Sequence, residues 1–220
     1  FYSFGIGGLY PRIGDIQLQM GVAEGALGLS LIGAAVGTLL SLTFASPLIE
    51  RVGHRRTLFA LVPLVAVFMA LAAFSTDPAL LFFSLLPAGL CMGAIELVVN
   101  VEADRVEHQI GKRVMNRAHA FWSFGFFGAG LVGAFAKQIG ISPQIHLLIV
   151  IPFVSAGTWL FLSGFHPAPL RAGTRVEAAP RFARPTLGIL ILVAMTLSAV
   201  MLEGAGADWS AIYMRTEFAV

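Results

Sequence analysis

"SPLIERVGHRRT", Ser46–Thr57, lies between two long apolar runs and packs Glu50, Arg51, Arg55 and Arg56 into seven positions. Elsewhere charge is scarce. Only 12% of the 220 residues are Asp, Glu, Lys or Arg, and 57% are hydrophobic. A soluble domain carries about 25% charged residues. So few charges cannot cover a chain of this size with a water-facing surface, and the solvent that fits is lipid. The stretch then reads as a tight turn at a membrane face, and the runs on either side as candidate spans.

About 20 apolar residues, rising 1.5 Å each, cross the hydrocarbon. Six runs qualify: Ala26–Ala45, Leu58–Ser75, Pro78–Val101, His119–Ala136, Pro143–Phe165 and Pro185–Leu202. The opening "FYSFGIGGLY" is already apolar and has no basic leader or cleavage site. It reads as the tail of a first span that begins before residue 1, which makes seven spans and the chain a fragment. Pro78, Pro143 and Pro185 each mark the start of a run, where a missing N–H costs nothing. Asp77 and Ser142 stand before two of them as N-caps. Strands of a membrane barrel would show about ten residues of alternation, which these long uniform runs lack. The predicted fold class is all-α, a polytopic membrane helical bundle.

Basic residues orient it. The loop after the second span holds Arg51, Arg55 and Arg56. The loop after the fourth holds Arg105, Lys112, Arg113 and Arg117, and the one after the sixth holds Arg171, Arg175, Arg181 and Arg184. The alternate side holds Arg12, Lys137 and Arg215. Eleven of the fourteen basic residues thus fall on one side, which predicts even-numbered loops in the cytoplasm of a bacterial inner membrane. The Pro-, Ala- and Arg-rich stretch from His166 has no apolar period and reads as a linker. The domains expected are residues 1–165, an N-terminal bundle with a truncated first helix; 166–184, a cytoplasmic linker; and 185–220, the truncated start of a C-terminal bundle.

Other chemistries leave no mark in the sequence. Cys91 is the one cysteine and suits small-residue packing. The five histidines are scattered, so neither a metal site nor a cofactor is expected, and no phosphate-binding loop is present. The basic residues sit in short gaps between spans. Lipid headgroups are therefore the partner they fit, and not nucleic acid.

The turn itself carries a resemblance. "SPLIERVGHRR" is similar to the signature loop between helices 2 and 3 of the major facilitator superfamily, roughly G-x-L-x-D-R-x-G-R-R/K. Leu48, Arg51, Gly53 and Arg55 match it, and Glu50 stands for the Asp. Ser46 and His54 depart from it. Six spans, a linker and a further helix repeat the superfamily's plan over the whole chain. Softer likenesses in "NVEADRVE", "HAFWSFG" and the Glu203–Ser210 run point to a poorly characterised bacterial branch. The resemblance implies a secondary transporter that moves a small solute by alternating access, with a proton as the coupling ion. It also implies a latch loop of Glu50, Arg51, Gly53, Arg55 and Arg56, working against a second half of the same chain beyond Val220. Glu50 is further expected either to pair with the nearby arginines or to face the N-terminus of another helix. The helix-5 antiporter signature of the family expects a Gly-Pro pair, which is absent and speaks against a drug antiporter. A non-transporting membrane sensor or assembly factor of the same fold is the second functional class. An embedded enzyme is the least supported, because no nucleophile–base pair is visible.

Ionisable groups within spans are costly and are the first candidates for function. Glu96 and Asn100 share a face with Gly89 and Gly93 at 4-3-4 spacing, and are predicted to line a central pathway unless Glu96 reaches the nearby interface. His119, Trp122 and Ser123 share a face at the start of the fifth span, which suits either a pathway or the interfacial belt. In the seventh, Gly204 and Gly206 are predicted to let the helix break, so that Asp208 and Trp209 face the cavity and Glu203 clusters with them; on a straight helix Glu203 would sit about 27 Å from its start, near the outer interface.

Overall fold

The computed structural model describes residues 1–169 and 185–218. Every regular element among them is helical. The chain divides into two units, Phe1–Pro169 and Leu170–Val220. The linker arginines Arg171, Arg175, Arg181 and Arg184 lie outside the described residues.

The first unit contains α1 (Tyr2–Gly7), a 3-10 turn (Tyr10–Arg12), α2 (Ile13–Met20), α3 (Glu24–Phe44), α4 (Ser46–Val52), α5 (His54–Ala72), α6 (Pro78–Ile110), α7 (Met115–Gln138) and α8 (Pro143–Leu162). Five of these, together with α9 (Leu187–Phe218) of the second unit, are long and apolar enough to cross a membrane. The outer faces agree with that: Phe121, Phe124 and Phe161 are each at least 68% exposed, a surface that lipid accepts and water does not. The protein is a multi-pass helical bundle.

The start signals act as the residue types require. Asp77 Oδ1 accepts the Leu80 N–H at 3.0 Å, and Ser142 Oγ accepts the Ile145 N–H at 3.3 Å. Gly53 is the single non-helical residue between α4 and α5, at φ +88°, where an L side chain would be strained. The turn after α6 is closed by Glu107, whose Oε1 accepts the N–H groups of Val114 and Met115 at 2.7 and 2.8 Å. One carboxylate thereby ends one span and caps the next.

Small residues set the packing. A Cβ on Gly37 would fall on the Leu86 carbonyl, and one on Gly89 on the Ala34 carbonyl, so α3 and α6 meet backbone to backbone. The α1–α7 pair repeats the device, with Gly7 against Phe126 and Ala129, and Gly125 against Ser3. α5 lies against both α6 and α8.

Four boundaries differ from the sequence reading. The first span does not stop at Tyr10. A 3-10 turn at Pro11, which has no N–H to give, carries the helical path on to Met20, so Arg12 belongs to the span and not to a loop. α4 makes the loop after the second span almost wholly helical. α6 runs to Ile110, about 50 Å in length, so Arg105 lies on this helix and Arg117 on α7, with only Gly111–Val114 between. In the second unit α9 begins at Leu187, with Thr186 Oγ1 accepting the Ile189 N–H at 3.4 Å, and passes through Gly204 and Gly206 without a break. Glycine permits a break but does not force one, and the apolar run continues on both sides.

Candidate functional site

Glu96 stands 18 residues into α6, about 27 Å from its start. Tyr2 stands 18 residues before the end of α2, at the same depth. Tyr2 of the first span lies near Glu96 of α6. Among the described residues no Arg, Lys or His is within ion-pair distance of Glu96. One helix up from Tyr2, Tyr10 meets Phe126 of α7 at 5.0 Å between ring centroids, and Phe126 stacks on Trp122 at 5.2 Å with planes 13° apart. Tyr2, Tyr10, Glu96, Trp122 and Phe126 are all half-buried, reached from outside yet held by the bundle.

The predicted face of α6 divides. Gly89 and Gly93 are buried against the α3 backbone, whereas Glu96 turns to Tyr2. Asn100 is exposed and donates back to the Glu96 carbonyl at 2.8 Å. His119 is exposed on the first turns of α7, one turn from Trp122. Glu203 and Asp208, on an unbroken α9, point about 140° apart at 100° per residue, so the proposed inward cluster does not form within that helix.

At the α4 end, Glu50 is exposed and its side chain lies 3.5 Å from Ser46 Oγ. No arginine is within ion-pair distance of it among the described residues, which corrects the expected pairing. Arg51 and Arg56 are exposed. Arg55 caps the end of α8, donating to the carbonyls of Leu162 at 3.2 Å and Ser163 at 2.5 Å, with Phe59 5.4 Å beneath its guanidinium. His54, a departure from the signature, carries the firmer contact: its Nδ1 meets Glu102 of α6. Glu102 is buried, lies 3.1 Å from Arg105 Nη1, and accepts the Ala168 N–H at 2.8 Å through its second oxygen. One acid thus ties the α4–α5 turn, α6 and the segment after α8 together.

A second charged cluster sits at the opposite end. Arg12 is 2% exposed, with Nε 2.9 Å from Asp15 Oδ2. Its Nη atoms donate to the Gly133 carbonyl at 3.4 Å and the Ile141 carbonyl at 2.6 Å. Lys137 Nζ is 3.3 Å from Asp15 Oδ1. His146 is buried alongside, its ring against Gly8 and Gly133. The sequence reading missed Tyr2, Glu102 and Asp15. The i,i+3 spacings Arg12–Asp15 and Glu102–Arg105 were the available signals for the two acids. Nothing local marks Tyr2, whose partner is 94 positions away.

Over 205 residues the chain is 27% identical to an uncharacterized transporter of Sinorhizobium fredii, a match that takes in 92% of this chain and 53% of that protein. It is 24% identical over 215 residues to an uncharacterized MFS-type transporter of Yersinia pestis, across 97% of this chain and 55% of that protein. The chain spans about half the length of these curated relatives. No family model and no solved structure matches it. Along nearly all of its length this multi-pass helical chain is thus similar to proteins named as transporters, one of them MFS-type.

Proposed function

We propose that the chain carries the first six-helix half, and the opening of the second, of a secondary transporter that moves a small solute by alternating access coupled to protons. The observation that carries this reading is similarity over more than nine-tenths of the chain to proteins named as transporters. Glu96 supports it as the proton carrier: a carboxylate at membrane depth, near Tyr2 and with no cation within ion-pair distance among the described residues. In this reading residues 1–165 form one rocking body and 166–184 a cytoplasmic linker, with 185–220 opening the other body. The even-numbered loops face the cytoplasm of a bacterial inner membrane. Glu50, Arg51, Gly53, Arg55 and Arg56 form the latch surface offered to the second half, and Asn100, His119 and Trp122 border the path within the first unit.

The test uses the full-length protein in sealed vesicles under an imposed pH gradient, with a panel of small cations, anions and sugars. Proton movement that depends on one solute, and that disappears in Glu96→Gln while the protein remains inserted, is the expected result. No solute-dependent flux in either form would favour the sensor reading instead.

A further inference from the structure

The first two turns of α5 border a pocket of about 480 Å³, lined by Arg55, Arg56, Phe59 and Ala60. It lies at the end of the span where α8 also finishes, because Arg55 reaches the carbonyls of Leu162 and Ser163. We propose that this pocket holds the phosphate of an anionic phospholipid whose acyl chain runs down α5. The inference goes beyond transport: it needs α5 and α8 to stand in a bilayer, and it holds whether or not the chain moves a solute.

Charge selects the headgroup. The lining contains two guanidiniums and no carboxylate. Neither arginine forms an ion pair with a described residue, and Glu50, the acid nearest in sequence, lies beside Ser46 on α4. Guanidinium forks match the oxygens of a phosphate, and basic pockets at the inner ends of spans suit anionic headgroups. Part of the site is already held in place. Arg55 donates to two carbonyls at the end of α8, and its guanidinium lies over the Phe59 ring. A phosphate therefore meets one fixed cation, which saves the cost of ordering it, and one exposed cation, Arg56.

The surface below the arginines selects the tail. Arg56, Ala60, Leu64, Val67 and Leu71 recur at 4-4-3-4 spacing and share one face of α5. Ala60, Leu64 and Leu71 are exposed on it. A cation at the end of the span above an exposed apolar stripe repeats the order of polarity in a phospholipid, phosphate outermost and chain beneath. The last turn of α8 exposes Trp159 at the same end, a residue type that sits at headgroup level. Other ligands match only part of this. A soluble phosphate would use the arginines and leave the stripe bare. A zwitterionic lipid would bring an ammonium for which the pocket has no acid.

The test is native mass spectrometry of the full-length protein in a neutral detergent, with phosphatidylglycerol or phosphatidylcholine of the same acyl chains added. One phosphatidylglycerol should bind first, about fivefold more tightly than phosphatidylcholine. Arg56→Gln should weaken that binding about fivefold, in protein that stays monodisperse. Ala60→Phe keeps both cations but fills the pocket, and should weaken it as much. Lys112→Gln removes an exposed cation from the turn after α6 and should change the affinity by less than about twofold, because screened charge acts only nearby. Equal binding of the two lipids, unchanged affinity in Arg56→Gln, or equal losses in Arg56→Gln and Lys112→Gln overturns the proposal. So does displacement of the lipid by excess inorganic phosphate, which would make the pocket a site for soluble anions.

Discussion

The two ends of the Phe1–Pro169 bundle are each tied by one acid shared among several partners, and they are built differently. At one end Asp15 balances Arg12 and Lys137, whose charges are permanent. Arg12 is buried, and its remaining donors close on the carbonyls of Gly133 and Ile141, at the end of α7 and in the turn before α8. At the other end Glu102 gathers His54, Arg105 and the Ala168 N–H. Two of these partners sit where the backbone is least regular, beside Gly53 and beyond the end of α8. One of them is an imidazole, which is a cation only when protonated. The first cluster is a rivet between spans. The second is a clasp on connecting segments, and of the two it is the better suited to opening and closing.

The largest expected effect falls on the rivet. Arg12→Met removes the charge that faces Asp15 inside the bundle and leaves two carbonyls without their donors. Breaking a buried pair by removing one partner costs about 3 kcal/mol or more. Thermal unfolding of the detergent-solubilised protein should register that as a large drop in midpoint. An unchanged midpoint would mean that the cluster is solvated and the contrast between the ends is false.

The same contrast explains what the sequence could tell. The spans were legible because hydropathy is a sum over many residues, and the caps because Asp77 and Ser142 act on N–H groups three positions away. Gly53 was legible for its turn. The charged clusters were not. Arg12 looked like a loop residue, because a helix is expected to stop near Gly8 and Pro11; buried against α7 and the turn before α8, it instead continues through a 3-10 turn. His54 counted as a mismatch to a signature until α6 brought Glu102 to it from 48 positions away. Tyr2 came near Glu96 only through the tertiary fold, from 94 positions away. Apolar patterning reports which solvent a segment faces, but a partner for one polar atom depends on how helices are rotated against each other.

The clasp should give smaller effects, and they should be local. His54→Ala removes the imidazole from Glu102 while Arg105 and the Ala168 N–H remain, so the loss is about 1.5 kcal/mol, that of one hydrogen bond to a carboxylate whose other partners stay. Limited proteolysis of the segment after α8 is the informative readout, because Ala168 is held by the same carboxylate. Cleavage there should speed up several-fold in His54→Ala and return toward the original rate in His54→Lys, which gives Glu102 a donor without a ring. A global fall in stability with no local change in cleavage would make the site a rivet like the other.

The smallest effect belongs to Lys137→Met. Lys137 also pairs with Asp15, at 3.3 Å, but its side chain is 44% exposed and Arg12 stays in place. An exposed ion pair contributes about 0.5 kcal/mol, and salt screens it. The midpoint should therefore barely move, and the small shift should vanish in high salt, whereas the Arg12→Met loss should persist there. If the two variants were equally damaging, Asp15 would depend on the sum of its cations and not on the buried one. The rivet would then owe its strength to charge at the surface, which would remove the physical distinction between the two ends.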